Sequence, residues 1–348
     1  MKHFYTKLLL LVIFSMMSVC TFAYDAEING IYYYFDDAAK TASVACKDFI
    51  HYNSYSGSVS IPTSVDYNGV TYSVTSIGLS AFRDCPELTD VTIPNSVTSL
   101  ADQAFLRCSN LKTISFGTEV TTIGYMAFDH CTSLTAITLP NSVISIGGNA
   151  FAECTNLAKV SLGNSVTAIG GRAFYGCTKL TSMELPNSVT EIEISAFENC
   201  TGLTSISLGD GLTRIGYKAF ANCTALESIT LPNSLQYIDE SFGGCSALTK
   251  VVSLIMKPFI LVDYAFDVYE TATLYVPYGT LETYKKTSAW NQFFRIEEMS
   301  PSSVVDRNVS SQEAVKYFSL DGRSLKVCKR GMNIVRMSDG MVKKMLKK

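Results

Sequence analysis

Cysteine is the residue type in this 348-residue chain with the most chemistry to offer, and its spacing is regular. Cys85, Cys108, Cys131, Cys154, Cys177, Cys200, Cys223 and Cys245 are separated by 23 residues six times and by 22 once. A zinc site needs ligands in pairs about two to four residues apart, which this spacing does not provide. Histidine, the usual companion ligand, occurs only at His3, His51 and His130. Disulfides are the other candidate chemistry. Equivalent positions on stacked strands hold their β carbons ~4.8 Å apart with parallel vectors, whereas a disulfide needs ~3.8 Å and converging ones. The array cysteines therefore read as free, buried thiols that act as small hydrophobes.

Acid, base and nucleophile are equally scarce. No G-x-S-x-G, H-E-x-x-H, Walker loop or dinucleotide fingerprint is present. His130 stands in the slot before a repeat cysteine, filled elsewhere by Asp84, Arg107, Glu153, Gly176, Asn199, Asn222 and Gly244. A slot that accepts every character reads as surface. His51 has no recognisable partner, and Gly147-Gly148 and Gly170-Gly171 read as repeat corners rather than phosphate loops. Asn199-Cys-Thr201, Asn222-Cys-Thr224 and Asn308-Val-Ser310 fit a glycosylation acceptor pattern, the first two because the repeat itself contains N-C-T. The expectation is a protein that is not an enzyme and uses no cofactor and no metal.

The elements that hold the cysteines are a repeat. Phe82, Phe105, Phe128, Phe151, Phe174, Phe197, Phe220 and Phe242 keep the cysteines' step, and a leucine follows three residues after each cysteine, from Leu88 to Leu248. A fixed period of roughly 20–29 residues containing L-x-x-L-x-L marks a leucine-rich-repeat solenoid. In each coil, a segment such as Leu111-Lys-Thr-Ile114-Ser-Phe116 predicts a short strand with its apolar residues inward. Pro94, Gly117, Pro140, Gly163, Pro186, Gly209 and Pro232 alternate at the next corner, a 46-residue superperiod. A second extended piece such as Val166–Ile169 follows, and Ala-Phe-x-x-Cys closes the coil as one tight helical turn. Cysteine and phenylalanine thus form a structural ladder through a shared core.

Around this β-rich solenoid of about eight coils (residues 77–254), the chain reads as a series of flanking pieces. Residues 1–23 have a charged start, an apolar run from Leu8 to Val19 and small residues before Tyr24, the pattern of a secretory signal peptide cleaved after Ala23. Cys20 offers lipid attachment as a less favoured alternative, because Val19 is a poor fit before it. Residues 24–76 read as an N-terminal β cap with hairpin turns at Asn29-Gly30 and Asn68-Gly69. Residues 255–299 read as a C-terminal cap in which Thr280 starts a helix reaching Trp290, the single tryptophan, as a plug for the core's end. A linker at 300–314 precedes a basic tail at 315–348, expected to be a four-stranded meander with turns at Asp321-Gly322 and Asp339-Gly340. No other stretch approaches the ~20 apolar residues of a membrane span. A net charge of −3 makes no electrostatic case for nucleic acid, and 47% hydrophobic with 17% charged residues argues against disorder.

The outward positions of the first strand are mostly Ser and Thr, without aromatic anchors. Larger side chains fall on the second strand and corners: Tyr125, Arg172, Tyr175, Arg214, Tyr217 and Tyr237. These are the candidate partner-binding residues. The unit C-x-x-L-x-x-I-x-L-P-N-S-V-T-x-I-G-x-x-A-F resembles the BspA-like leucine-rich repeats of bacterial surface proteins. The segment Tyr67-Asn-Gly-Val-Thr-Tyr-Ser-Val-Thr-Ser-Ile-Gly78 and Leu274-Tyr-Val-Pro277 are similar to the same family. Lys316-Tyr-Phe-Ser-Leu-Asp-Gly-Arg323 and Gly331-Met-Asn-Ile-Val-Arg336 resemble C-terminal sorting modules of Bacteroidota proteins, although those modules are usually longer. The resemblance implies a cell-surface or secreted adhesion protein with a protein or glycan partner, host matrix proteins such as fibronectin or fibrinogen among them. A structural envelope component that self-associates is the alternative. No ligand-binding residue carries over by motif.

Overall fold

The computed structural model describes residues 24–48 and 53–300, together with the backbone of four strands between 316 and 347. The expected signal peptide, His51, Asn308 and the two Asp-Gly turns of the tail lie outside the described residues. The chain divides into two units, Met1–Glu298 and Met299–Lys348.

The first unit is a right-through solenoid with three sides per coil. One side is a main ladder of parallel strands that begins at Gly57–Ser60 and Leu88–Thr92, continues through coils such as Ala136–Thr138 and Lys159–Ser161, and ends at Thr273–Val276 and Arg295–Glu298. Two strands therefore follow Lys250–Ser253, in the region expected to be a cap. The second side carries two-residue strands in one register, Ser99–Leu100 through Tyr237–Ile238, each pairing in parallel with the next. This second ladder is closed at its start by the strands Ala26–Ile28, Ile31–Asp36 and Thr41–Ala45, the last of which pairs with Val70–Ile77. The expected turn at Asn68-Gly69 joins the hairpin of Ser64–Tyr67 with Val70–Ile77.

The third side differs from the expected helical turn. Each coil makes two consecutive turns, with hydrogen bonds such as Ala81 N to Gly78 O and Arg83 N to Ser80 O. A left-handed residue stands before the alanine and another before the cysteine: Ser80 and Asp84, Gln103 and Arg107, Met126 and His130, Asn149 and Glu153. Left-handed backbone costs roughly 1–2 kcal/mol for an ordinary residue. It is offset because the conformation aims three N–H groups per coil at the next coil. Phe128 N donates to Ala150 O (2.7 Å), Met126 N to Gly148 O (2.9 Å) and His130 N to Ala152 O (2.9 Å), and the same pattern recurs in neighbouring coils.

Inside, the phenylalanines form one stack. Ring centroids from Phe82 to Phe105 are 4.8 Å apart, Phe174 to Phe197 5.4 Å, and Phe242 to Phe266 4.7 Å, with planes within 8° of parallel along the series. Phe266 extends the stack one coil beyond Phe242. Tyr55 begins it, 4.4 Å from Phe82, with its hydroxyl donating to Ala45 O and accepting from Tyr32 N of the cap. At the far end Trp290 is fully buried and its Nε1–H donates to Phe259 O (2.8 Å). The helix before it is shorter than expected, one turn at Leu281–Tyr284, and the hydroxyl of Thr280 turns back to Pro277 O instead of capping it. Glu298 accepts from Gly279 N and Leu281 N in its place.

The Pro/Gly alternation has a mechanical reason. A β carbon on Gly163 would sit 2.2 Å from Pro140 O, and one on Gly117 2.3 Å from Pro94 O. The Asn after each proline accepts from the coil above: Asn95 from Thr118 N, Asn141 from Asn164 N, Asn187 from Asp210 N. The Ser of the next P-N-S-V donates to the coil below: Ser142 to Val120 O and Ser188 to Val166 O. Coils of the two kinds are thus joined by two different side-chain locks. The second unit has antiparallel strands Lys316–Phe318, Ser324–Leu325, Gly331–Arg336 and Val342–Lys347. Their order places Lys316–Phe318 between Ser324–Leu325 and Gly331–Arg336, so it is four-stranded but not the simple meander expected.

Phe151→Ala should cost about 3–5 kcal/mol and Gly163→Ala about 1–3 kcal/mol in urea unfolding followed by Trp290 fluorescence. A cost below about 1 kcal/mol for Phe151→Ala would remove the stack from its central role.

Candidate binding surface

The cysteine ladder is turned wholly inward. None of the eight array cysteines is in a disulfide, and none has exposed surface. Each thiol after the first donates to the phenylalanine carbonyl of the coil before it, a partner the spacing alone did not suggest. Cys108 donates to Phe82 O (2.8 Å), Cys131 to Phe105 O (3.1 Å), Cys177 to Phe151 O (3.2 Å) and Cys245 to Phe220 O (3.2 Å). The same phenylalanine carbonyl accepts the N–H of the cysteine in its own turn, as Phe105 O does from Cys108 N. Cys85 has no phenylalanine coil beneath it, and its thiol lies 3.6 Å from Arg83 O. Burial pushes all eight thiols up from the ordinary value of 9.0, Cys85 to about 11 and Cys200 and Cys245 to about 12. A thiol that keeps its proton is neither nucleophile nor metal ligand.

His130 is surface, as its slot implied, with a side chain 52% exposed. Its Nδ1 lies 2.7 Å from Oδ1 of Asp129, a nearly buried carboxyl that desolvation pushes up and the histidine pulls down. A carboxylate can orient a histidine base in this way. The adjacent Cys131, however, gives its hydrogen to Phe105 O inside the core. Among the described residues, no three of His, Cys, Asp and Glu gather as a metal site. The slot itself carries a backbone signal that side-chain character concealed: every occupant has positive φ. Its share of Asp, Asn and Gly was the readable clue.

Four of the six candidate surface residues form two basic–aromatic pairs. Arg214 and Tyr237 stand in register on the second ladder with Glu191. The Arg214 guanidinium lies 4.7 Å over the Tyr237 ring and its Nε is 3.1 Å from Glu191 Oε1. Arg172 lies 5.6 Å from the Tyr175 ring, and the Tyr175 hydroxyl accepts from Asn199 Nδ2 (2.9 Å). Tyr125 and Tyr217 are exposed at the corner after the second strand, Tyr217 with Lys218 Nζ 5.2 Å from its ring. Four coils separate those two tyrosines, about 19 Å at strand spacing. Between them the corner holds Gly148, Gly171 and the exposed Ile194. Tyr125 Cδ2 leans within 3.5 Å of where a Gly148 β carbon would be, and Ile194 Cγ2 within 3.1 Å of that of Gly171. The six residues run from coil to coil as a strip that contains two basic–aromatic pairs. Further exposed apolar residues went unread in the sequence: Met256, Ile260, Tyr264, Tyr278 and Phe294, all more than half exposed, fall between residues 256 and 294.

Parallel ladders on two sides, turns on the third and a leucine–phenylalanine core define a leucine-rich-repeat solenoid. The model of the BspA type leucine rich repeat region matches residues 49–181 and 167–267, with six copies, and the chain belongs to that family. A leucine-rich repeat protein from Bacteroides ovatus is 26% identical, covering 78% of this chain and 88% of its own, with a TM-score of 0.46. The T. pallidum leucine rich repeat protein is also 26% identical, covering 64% and 90%, with a TM-score of 0.45. A leucine rich cell surface protein from Faecalibacterium prausnitzii is 23% identical over 80% and 95%, with a TM-score of 0.37. No curated protein matches the chain. Leucine-rich-repeat proteins are generally binding scaffolds without catalysis, and none of the described helices is long and apolar enough to cross a membrane.

The raised thiols set a pH dependence. The folded protein holds these protons to higher pH than the unfolded chain, so their contribution to stability is complete below pH 9.0 and is lost as pH rises toward about 11 for Cys85 and about 12 for Cys200. The urea midpoint should therefore fall as pH rises above about 9. In the folded protein at about pH 8, a thiol reagent should leave the eight array cysteines unlabelled until denaturant is added. Rapid labelling of several of them without unfolding would contradict the buried ladder.

Proposed function

We propose that this chain is an exported, non-enzymatic binding protein that presents its solenoid strip to a protein or glycan partner, host matrix proteins included. The observation that carries this reading is the contrast between core and strip. The array thiols are sealed inside, while Tyr125, Arg172, Arg214 and Tyr217 are exposed and Tyr175 and Tyr237 half-exposed, Arg172 beside Tyr175 and Arg214 over Tyr237. Tyrosine and arginine are the residues that dominate interface energetics, because they join large contact area to directional polar groups. The Ser/Thr face of the main ladder contributes little of this kind. Export rests on the sequence pattern of residues 1–23 and on the family.

A second reading is a structural envelope component that associates with itself or with neighbouring surface proteins. The exposed apolar residues Met256, Ile260, Tyr264, Tyr278 and Phe294 favour it, since exposed apolar groups drive association when they form a patch.

Immobilised residues 24–348 exposed to matrix, serum and mucosal glycoprotein extracts test both readings. The combined variant Tyr125→Ser, Arg214→Ser, Tyr217→Ser and Tyr237→Ser should lose a captured partner by about tenfold or more, with its melting temperature little changed. Deleting residues 132–177 should also abolish capture, and it removes a whole Pro/Gly pair of coils, so the remaining locks stay in step. Recovery of only the protein itself, reduced by Tyr264→Ser and Phe294→Ser, would decide for the structural reading.

A further inference from the structure

The main ladder begins at an edge that no described strand of the cap covers. Strand Gly57–Ser60 pairs on one side with Leu88–Thr92, Val59 opposite Val91 and Ser60 opposite Thr92, and is the terminal strand of its sheet. Gly57 N and Ile61 N donate toward that neighbour, to Glu87 O (2.8 Å) and Thr92 O (3.0 Å). Alternate residues of a strand in a parallel ladder turn their main-chain groups to opposite sides. Ser58 and Ser60 therefore present N–H and C=O to the open side, and neither N–H has a partner among the described residues. The second ladder has no such vacancy, because Thr41–Ala45 covers its first strand.

Two further observations lie at this edge. Val59, whose side chain points to the core, is only half-buried, whereas Val91 on the next strand is buried. A slot of about 290 Å³ runs beside the strand, lined by Ser58, Val59 and Ser60 and by Asn29, Gly30 and Ile31 of the cap's first hairpin. No residue lining it is charged.

We propose that this slot binds an extended, uncharged segment of a partner polypeptide, which adds a strand in front of Gly57–Ser60. Strand addition draws affinity from main-chain hydrogen bonds and specificity from the places available to alternate side chains. The segment would pair with the free groups of Ser58 and Ser60, set an apolar residue over Val59, and carry small residues toward the hairpin. Most interior coils already make this contact with the coil before them, as Lys159–Ser161 does with Ala136–Thr138, so the slot continues an interface that the protein builds along its length. A second copy is a poorer occupant. The free strand at the other end of the ladder, Arg295–Glu298, would bring exposed Arg295, Glu297 and Glu298 to an uncharged slot. The site is separate from the tyrosine–arginine strip and stands or falls independently of it.

The probe is a capped peptide with the sequence of residues 133–139, Ser-Leu-Thr-Ala-Ile-Thr-Leu, an uncharged strand of the repeat itself, labelled for fluorescence anisotropy with residues 24–348. It should bind saturably, and the same peptide N-methylated at alternate residues should bind about tenfold or more weakly. Ser60→Pro removes an N–H that no ladder bond uses, after a residue already extended, and should weaken binding by a similar factor without lowering the melting temperature. Should that variant fail to fold, the N-methylated peptide decides the matter on the wild-type protein. Absence of saturable binding, equal binding of the N-methylated peptide, or self-association of the protein that Ser60→Pro abolishes would each overturn the proposal.

Discussion

The phenylalanine carbonyl on the turn side is the point on which the solenoid depends. A coil that closes through two tight turns buries that carbonyl beside an aromatic ring, where an unmet hydrogen bond is costly. Two groups of one residue type meet it: the N–H of the cysteine in the same turn and the thiol of the cysteine one coil on. Cysteine is small enough to let the rings stack and polar enough to donate. The phenylalanine, the cysteine and the 23-residue step are thus parts of one solution, and a shift of either residue would leave both the carbonyl and the ring without neighbours.

Much of this was legible. Ladder, superperiod and inward phenylalanines follow from spacing alone, because stacked coils translate period into contact. What was hidden has common physical causes. The left-handed positions were concealed by charged and bulky occupants such as Arg107, His130 and Glu153, which hold that conformation only because the next coil accepts their N–H groups. The strand Arg295–Glu298 continues the main ladder without the cysteine or the leucine step, so pairing outlasts the motif. Tyr55 heads the ring stack from within the cap, and only the fold brings it there. The short helix at Leu281–Tyr284 reflects a choice made by Glu298, distant in sequence, over the local cap Thr280.

The candidate surface was legible as residue types and not as an arrangement. Arg214 and Tyr237 are one coil apart and share a register, which spacing can supply. The lean of Tyr125 over Gly148, and of Ile194 over Gly171, depends on the absence of side chains at two corners that only the stacking of coils brings beside them. Core and surface answer to different demands in this chain. The core repeats because each coil must fit the last, and the surface varies because nothing inside constrains it.

The turn side also differs from the β ladders in direction. Parallel strands send hydrogen bonds both ways along the axis, and their dipoles largely cancel. The turn-side backbone bonds between coils run from one coil to the next, three per coil, as in Phe151 N to Ala173 O and Asn199 N to Ala221 O. Their dipoles add, so this one flank behaves electrically as an α-helix does, with its positive pole at the C-terminal coils. The last of these N–H groups, on Gly244, is met by a carboxylate oxygen of Asp267 at 2.5 Å. That aspartate terminates a solenoid as an acidic cap terminates a helix, and it gives the array an electrical polarity as well as a direction of stacking.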